Sequence, residues 1–336
     1  MQQRPQQGRL QRRAFITAAT CGLAGPLGVT SLWAQTGFPN KPVRIIVPYA
    51  AGGGPDVLTR KVAPKLGEIL GQPIVVENIV GAGGILAAQS VARAAPDGYT
   101  VLAGASTHVV QKAMQPSVKF DPIKDFAPIT RSTVSPALLV VAANAPWKTV
   151  QELIAAVKKE PGKLNYASGG IGSAAHLSSA ALLLATDANA VHVPYRGSVE
   201  IIPSLLSGST QFGCPIASTA VGPVLQGQVR ALATTGAVRM PQLPHVPTLK
   251  EVFGKDELVL ESWGCFWAPA GTPAAVLDVL FKAFTKLYSD PSIRADHEAA
   301  GAPVSLNTSP AEFGRFLEAE TTKYERIVKA IGLNGN

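Results

Sequence analysis

The sequence is poor in the residues from which metal sites and catalytic centres are usually assembled. It has three cysteines, and only Cys214 and Cys265 lie beyond residue 34. Two cysteines this far apart make neither a disulfide framework nor a zinc site. Their positions do not decide whether they pair; two buried thiols is the simpler reading. The five histidines, His108, His176, His192, His245 and His297, are scattered without metal-ligand spacing to one another or to a cysteine. No metal is therefore expected. Neither a G-x-S-x-G nucleophile elbow nor a P-loop lysine motif occurs. Lysine and arginine form no stripe and do not alternate with aromatics, which argues against a nucleic-acid partner. Beyond the first 34 residues no stretch is long and apolar enough to cross a bilayer.

What remains is 336 residues, 46% hydrophobic and 15% charged. That is too long for one ordinary domain and too apolar for disorder, so two globular domains are expected. Residues 1–34 read as an export signal rather than as part of the fold. Arg12-Arg13-Ala14-Phe15-Ile16 has a twin-arginine look, a small-residue apolar stretch runs to Trp33, and Leu32-Trp33-Ala34 suits cleavage after Ala34. Gly22, Gly25, Pro26 and Gly28 interrupt the stretch and argue against a membrane anchor. Cys21 sits in a poor lipid-attachment context, so lipoprotein anchoring is not expected. Loss of the four arginines in this segment lowers the net charge from +8 to +4. A mildly basic, exported protein suits anionic solutes, and a periplasmic location follows.

The rest of the chain is organised around VRIIVPYAAGGGPD, Val43–Asp56. Val43, Ile45, Ile46 and Val47 make a buried strand that runs through Pro48-Tyr49 into three glycines and a helix start at Pro55-Asp56. The first N–H groups of a helix lack partners and carry positive partial charge. The segment reads either as a small-anion site at the carboxyl end of a parallel strand or as a tight turn with no ligand. Asp56 either stabilises the helix start or touches the ligand.

A helix over 55–70, kinked at Pro64, is expected next, then a strand over Ile74–Glu77. Gly81-Ala82-Gly83-Gly84 leads into a helix ending near Ala95, and Tyr99–Ala103 makes a third strand. This is β–α–β–α–β, the pattern of a parallel sheet with covering helices. Strands are expected at Phe126–Thr130 and Ala137–Ala142. A second series follows: a helix over 150–159 with a capping box at Thr149 and Glu152, a strand over Leu164–Ala167, the glycine-rich turn Ser168–Ser173, and a helix over 173–185. It continues with strands at Ala190–Val193, Thr210–Cys214 and Arg230–Thr234, and with helices over 198–207 and up to Gln226. Leu258–Trp267 is an extended apolar stretch. Helices started by Thr272-Pro273, Asp290-Pro291 and Ser309-Pro310 close the chain. They are expected to return to the first domain. Domain I is thus assigned 35–135 and 262–336, and domain II 136–261. Two crossings, near 131–138 and 259–266, would frame a cleft able to close by a hinge.

Chemistry finds little support. Ser106, Thr107 and His108 are neighbours, but adjacency does not make a nucleophile and base. His176 is expected to make a structural hydrogen bond. Gly170-Ile171-Gly172-Ser173-Ala174-Ala175 fits G-x-G-x-x-A, yet the next strand ends in Val193-Pro194-Tyr195 with no ribose-binding acid, so no cofactor is expected. Tyr49 and Tyr195 each follow a proline at a strand end and either wall in a ligand or cap the core. Trp263 and Trp267 are expected in core or hinge packing.

Pro48-Tyr49-Ala50-Ala51-Gly52-Gly53-Gly54-Pro55-Asp56 resembles the P-[FY]-x-x-G-G-x-x-D signature of the tripartite tricarboxylate transporter receptors, the Bug or TctC-type proteins. Glu77-Asn78 with Gly81-Ala82-Gly83-Gly84, Pro96-Asp97-Gly98-Tyr99-Thr100, Lys124-Asp125-Phe126, Leu164-Asn165-Tyr166-Ala167-Ser168 and His192-Val193-Pro194-Tyr195-Arg196-Gly197 are similar to further family elements in the same order. So are Arg230-Ala231-Leu232-Ala233 and Ala268-Pro269-Ala270-Gly271-Thr272-Pro273. The likeness spans nearly all of 37–336. It implies an α/β, two-domain periplasmic-binding-protein (Venus-flytrap) fold, type II-like, with two crossover strands. It also implies a solute-binding receptor, not an enzyme, that takes a small carboxylate and works with a membrane permease of the tripartite type. The family's ligand loops map to Tyr49, Gly52, Gly53, Gly54, Ser106, Thr107, Ser168, Ser173 and Tyr195. One departure stands out: where the family has Q-V-D-L-M-F-D after its L-L-x-G element, this chain has Gln211-Phe212-Gly213-Cys214-Pro215, so Pro215 replaces an acid able to face the cleft. An amino-acid ligand is thereby less favoured than a plain carboxylate. A monomer is expected. The competing reading is an exported α/β hydrolase using Ser106 or Ser173 with a histidine. Gly53→Val is expected to abolish binding by filling the space of a carboxylate.

Overall fold

A computed structural model describes residues 37–115, 117–330 and 332. The export signal and its cleavage point lie outside them. The chain opens with β1 (Val43–Val47), α1 (Gly54–Leu70), β2 (Ile74–Asn78), α2 (Ile85–Ala92), β3 (Thr100–Ala105), α3 (Ser106–Met114) and β4 (Phe126–Pro136). It then lays down β5 (Leu138–Ala142), α4 (Val150–Lys159), β6 (Asn165–Ser168), α5 (Ala174–Ala185), β7 (Val191–Pro194), α6 (Ile201–Leu206), β8 (Phe212–Gly213), α7 (Ala217–Leu225), β9 (Val229–Thr234) and α8 (Leu249–Phe253). It closes with β10 (Glu261–Pro269), α9 (Ala274–Tyr288), α10 (Pro291–Ala299) and α11 (Pro310–Ala330).

Two five-stranded sheets result, ordered β2-β1-β3-β10-β4 and β7-β6-β8-β5-β9. Each has a parallel trio at one side, and each has one strand antiparallel to its neighbours, β10 in the first and β5 in the second. The chain changes sheets between Pro136 and Leu138 and returns between Thr234, the end of β9, and Glu261, the start of β10. This is the two-lobed α/β architecture with two crossover strands. Gly37–Asn336 nevertheless form one closely packed unit.

The β1 side chains feed both faces of the first sheet. Ile46 joins a cluster with Leu102, Trp263 and Trp267. Val43 and Ile45 join Leu66, Phe266 and Phe284 on the other side. Burying an aliphatic side chain of this size contributes roughly 1.5–3 kcal/mol, so a strand apolar on both faces is anchored deep in the lobe.

The helix starts are chemically explicit. Asp290 accepts the Ser292 N–H at 2.8 Å, and Ser309 Oγ accepts the Glu312 N–H at 3.1 Å. At α4 the Thr149 hydroxyl accepts the Glu152 N–H at 3.2 Å, but the Glu152 carboxylate takes the Lys148 N–H at 2.6 Å, one residue before the reciprocal partner of a capping box.

Several elements differ from their expected form. Pro64 lies inside one unbroken helix. The strand expected to stop at Thr130 runs on to Pro136, because β10 pairs with it from Pro269↔Phe126 to Glu261↔Pro136. The strand expected over Thr210–Cys214 shrinks to two residues. Cys214 and Cys265 are free thiols, both buried, and burial pushes Cys214 up to about 12. Among the described residues no helix is long and apolar enough to cross a membrane.

Candidate functional site

The loop after β1 is held by a buried polar hub. Asp56 is 2% exposed. Its carboxylate accepts the Gly52 N–H at 2.9 Å, Asn78 Nδ2 at 2.8 Å and Arg60 Nε at 3.0 Å. Asn78 Nδ2 also donates to the Tyr49 carbonyl at 2.9 Å. Burial by itself would raise the Asp56 pKa, but the three donors and the Arg60 charge outweigh it and hold the carboxyl below its usual range. Asp56 is spent on shaping the Tyr49–Gly54 loop.

Beside this loop lies a cavity of about 110 Å³, lined from both sheets. The first lobe contributes Tyr49, Pro55, Thr59, Thr107, Ser132 and Ser262; the second contributes Gly169, Ser173, Ser198, Ile216 and Ser218. Among the described residues the lining contains no Lys, Arg, Asp or Glu. Instead, the starts of four helices reach it: α1 through Pro55, α3 through Thr107, α5 through Ser173 and Ala174, and α7 through Ile216 and Ser218. Helix starts favour negative charge without a formal cation, because their first N–H groups lack partners within the helix and carry positive partial charge. Hydroxyls supplement them. Tyr49 Oη donates to Thr107 Oγ1 at 3.3 Å, and burial pushes the phenol up to about 12, so it stays neutral.

The nine residues singled out from the sequence do not play one part. Tyr49, Thr107 and Ser173 line the cavity. Ser173 also caps α5, accepting the His176 N–H at 3.3 Å. Ser106 lies in a smaller adjoining space of about 20 Å³ and is hydrogen-bonded to Ser262 Oγ at 2.9 Å. Gly54 marks a contact between lobes: a Cβ there would fall 2.4 Å from Ser218 Oγ. At Gly53 a Cβ would meet Val199 of the opposite lobe at 3.3 Å. A side chain at Gly53 thus meets protein on two sides, the Ala50 carbonyl of its own loop and Val199. Gly52 is outside the lining and gives its N–H to Asp56. Ser168 is fully buried and braces its own turn, accepting the Gly170 N–H at 3.1 Å and bonding His192 Nε2 at 2.6 Å. Tyr195 packs on the apolar cluster of the second lobe and gives its backbone N–H to the Ser168 carbonyl.

His176 Nδ1 accepts the Gly172 N–H at 3.1 Å, the structural role expected of it, and its ring stacks on His192 at 4.0 Å. Burial and the adjacent His192 push its pKa down to about 3. Neither Ser106 nor Ser173 has an imidazole as hydroxyl partner. No cluster of three metal-ligating side chains occurs among the described residues. Tyr288, His297, Ser132 and Ser218 also line the cavity and carry no local motif. Only the departure at Gln211-Phe212-Gly213-Cys214-Pro215 lies next to one of these walls: Pro215 itself is outside the lining, while Ile216 and Ser218 belong to it.

The sequence matches the family described as tripartite tricarboxylate transporter family receptor over residues 58–333. It is 37% identical over 332 residues to the UPF0065 protein of the gbd 5′ region of Cupriavidus necator, covering 96% of this chain and 99% of that one. Its fold is similar to that of MatC from Rhodopseudomonas palustris, solved with bound malate, at 30% identity and a TM-score of 0.82, covering 87% of this chain and 100% of that one. It is likewise similar to an R. palustris protein solved with adipate, at 31% identity and a TM-score of 0.83, covering 88% of this chain and 98% of that one.

Proposed function

This chain belongs to the tripartite tricarboxylate transporter receptor family, and on that premise we propose that it captures a small carboxylate between its lobes and presents it to a membrane permease without chemical change. The observation that carries this reading is the meeting of four helix starts, from both lobes, at one cavity that holds no formal charge. A carboxylate there would bind both lobes at once and so favour the closed state. The malate and adipate held by two structural relatives support the ligand class.

Within this reading Tyr49, Thr107 and Ser173 touch the ligand. Gly53 and Gly54 permit the lobes to meet. Gly52, Ser106, Ser168 and Tyr195 hold the loops that frame the site. The lobe boundaries are those of domain I, 35–135 and 262–336, and domain II, 136–261, a reading supported by the changes of sheet after Pro136 and between Thr234 and Glu261 and by Leu260 in the core of the second lobe. The protein works as a periplasmic monomer, exported by the segment that ends near Ala34.

A thermal-shift screen against mono-, di- and tricarboxylates, run beside a generic esterase assay, tests the proposal. Stabilisation by a carboxylate without turnover is expected. Ester turnover that disappears in Ser106→Ala or Ser173→Ala would replace the receptor by the hydrolase.

A further inference from the structure

The cavity wall is electrically uneven. Besides the four helix starts, the wall includes Tyr288, the last residue of α9, and His297, in the last turn of α10, which also borders a separate space beside Lys61, Lys65 and Asp290. Helix ends carry negative partial charge, opposite in sign to the starts.

His297 is 1% exposed. Its Nδ1 lies 2.9 Å from the Ile293 carbonyl. A carbonyl only accepts, so Nδ1 carries the proton and Nε2 of the neutral ring presents a lone pair. Among the described residues no group is hydrogen-bonded to Nε2. The nearby charges cancel: Lys61 and Asp296 are paired at 2.8 Å. The Tyr288 ring stands edge-on to the imidazole at 5.4 Å, and burial keeps its phenol protonated. Burial likewise lowers the proton affinity of His297.

We infer that the cavity selects a monocarboxylate whose other end carries a hydroxyl, with His297 Nε2 accepting that hydroxyl, and that it rejects a dicarboxylate of the same length. The inference rests on the carboxylate-receptor reading above and narrows it. One carboxylate is met by the helix starts. A second would shed its water beside a helix end and a bare lone pair, with no cation to compensate. A hydroxyl can donate to the same lone pair without bringing charge. This sets the chain apart from its relatives solved with malate and adipate.

Titration calorimetry at neutral pH with 5-hydroxypentanoate, pentanoate and glutarate, and with the corresponding trios one carbon shorter and longer, tests the inference. At the length that binds best, the hydroxy acid is expected to bind roughly tenfold or more tighter than the diacid. His297→Leu is expected to erase the advantage of the hydroxy acid over the plain acid, and His297→Gln, whose amide oxygen still accepts, to keep part of it. A diacid that binds wild-type protein as tightly as the hydroxy acid overturns the inference, whatever the variants do. So does an unchanged hydroxy-to-plain ratio in folded His297→Leu. Binding of no member of the panel overturns the receptor reading as well.

Discussion

Asn78 and Asp56, 22 positions apart in sequence, meet at 2.8 Å beneath the glycine loop, and the same Asn78 amide nitrogen reaches the Tyr49 carbonyl at 2.9 Å. One side chain at the end of β2 thereby ties the β1 loop to the first turn of α1. The aspartate of the glycine-rich signature is a positioning group: its acceptor capacity is already taken by Gly52, Asn78 and Arg60.

Asp56→Ala is expected to leave the Gly52 N–H and the Asn78 amide without their acceptor. Gly52 is exposed and Asn78 keeps the Tyr49 carbonyl, so water and that carbonyl take up part of the loss and the cost is about 1 kcal/mol. Urea denaturation should show a lower midpoint, and carboxylate binding should weaken. A variant with wild-type midpoint and affinity would mean the loop holds itself.

Gly54→Ala places a methyl group 2.4 Å from Ser218 Oγ and 2.9 Å from the Ser218 Cβ and carbonyl carbon, so the flexible hydroxyl alone cannot relieve the clash. The fold of each lobe should survive while closure fails, with affinity reduced roughly tenfold or more. Small-angle scattering with and without ligand would read this directly: compaction is expected in wild type and absent in the variant. Gly53→Val should act in the same direction through Val199.

Stability should fall as the pH drops below about 6.5. Burial pushes the His108 pKa down to about 4, and burial with the neighbouring His192 pushes His176 down to about 3. Between those values and the ordinary 6.5 the unfolded chain binds more protons than the folded one, so acid favours unfolding. Each such histidine removes roughly 1.4 kcal/mol per pH unit across its window. Thermal melts from pH 8 to pH 4 measure the slope. Replacing His176 with Gln, which retains an acceptor for the Gly172 N–H, should flatten it.

Trp263 donates Nε1–H to the buried Glu320 carboxylate at 2.7 Å and so pins α11 to β10. Trp263→Phe is expected to destabilise the protein by about 2–4 kcal/mol, because packing is lost and a buried acceptor is stranded. Glu320→Gln keeps the acceptor and should cost less. Equal losses in the two variants, measured by urea denaturation, would reduce the tryptophan to a packing residue.

The glycine loop, the alternation of strands and helices and the caps at Asp290 and Ser309 were legible because each is encoded by contiguous residues: a short apolar run, a turn residue at its end, a cap before a helix. Thr272 places no hydroxyl cap on α9 and donates to the Pro269 carbonyl instead. The limits of β4 and β8 were not, since they depend on partners far along the chain; β4 is extended by β10, more than a hundred residues later. Trp263 read as core packing, and it is buried, but its polar link to Glu320 depends on a helix that arrives last. Ser168 and Tyr195 were assigned to the ligand loops by the family resemblance, and Tyr195, after a proline at a strand end, read equally as a core cap. In the fold Ser168 accepts the Gly170 N–H within its own turn, and Tyr195 packs against the apolar cluster of the second lobe, contacts that depend on how the two loops meet.

By itself the sequence determined the family, the two-lobed α/β fold and the presence of strand-end loops suited to an anion, because these rest on local patterning and on the chemistry of helix starts. Only the tertiary structure decided what encloses the cavity. Ser132, Ser218, Tyr288 and His297 come from four separate segments and share no pattern. Their chemistry acquires meaning only when packing brings two helix ends and four helix starts to one small cavity.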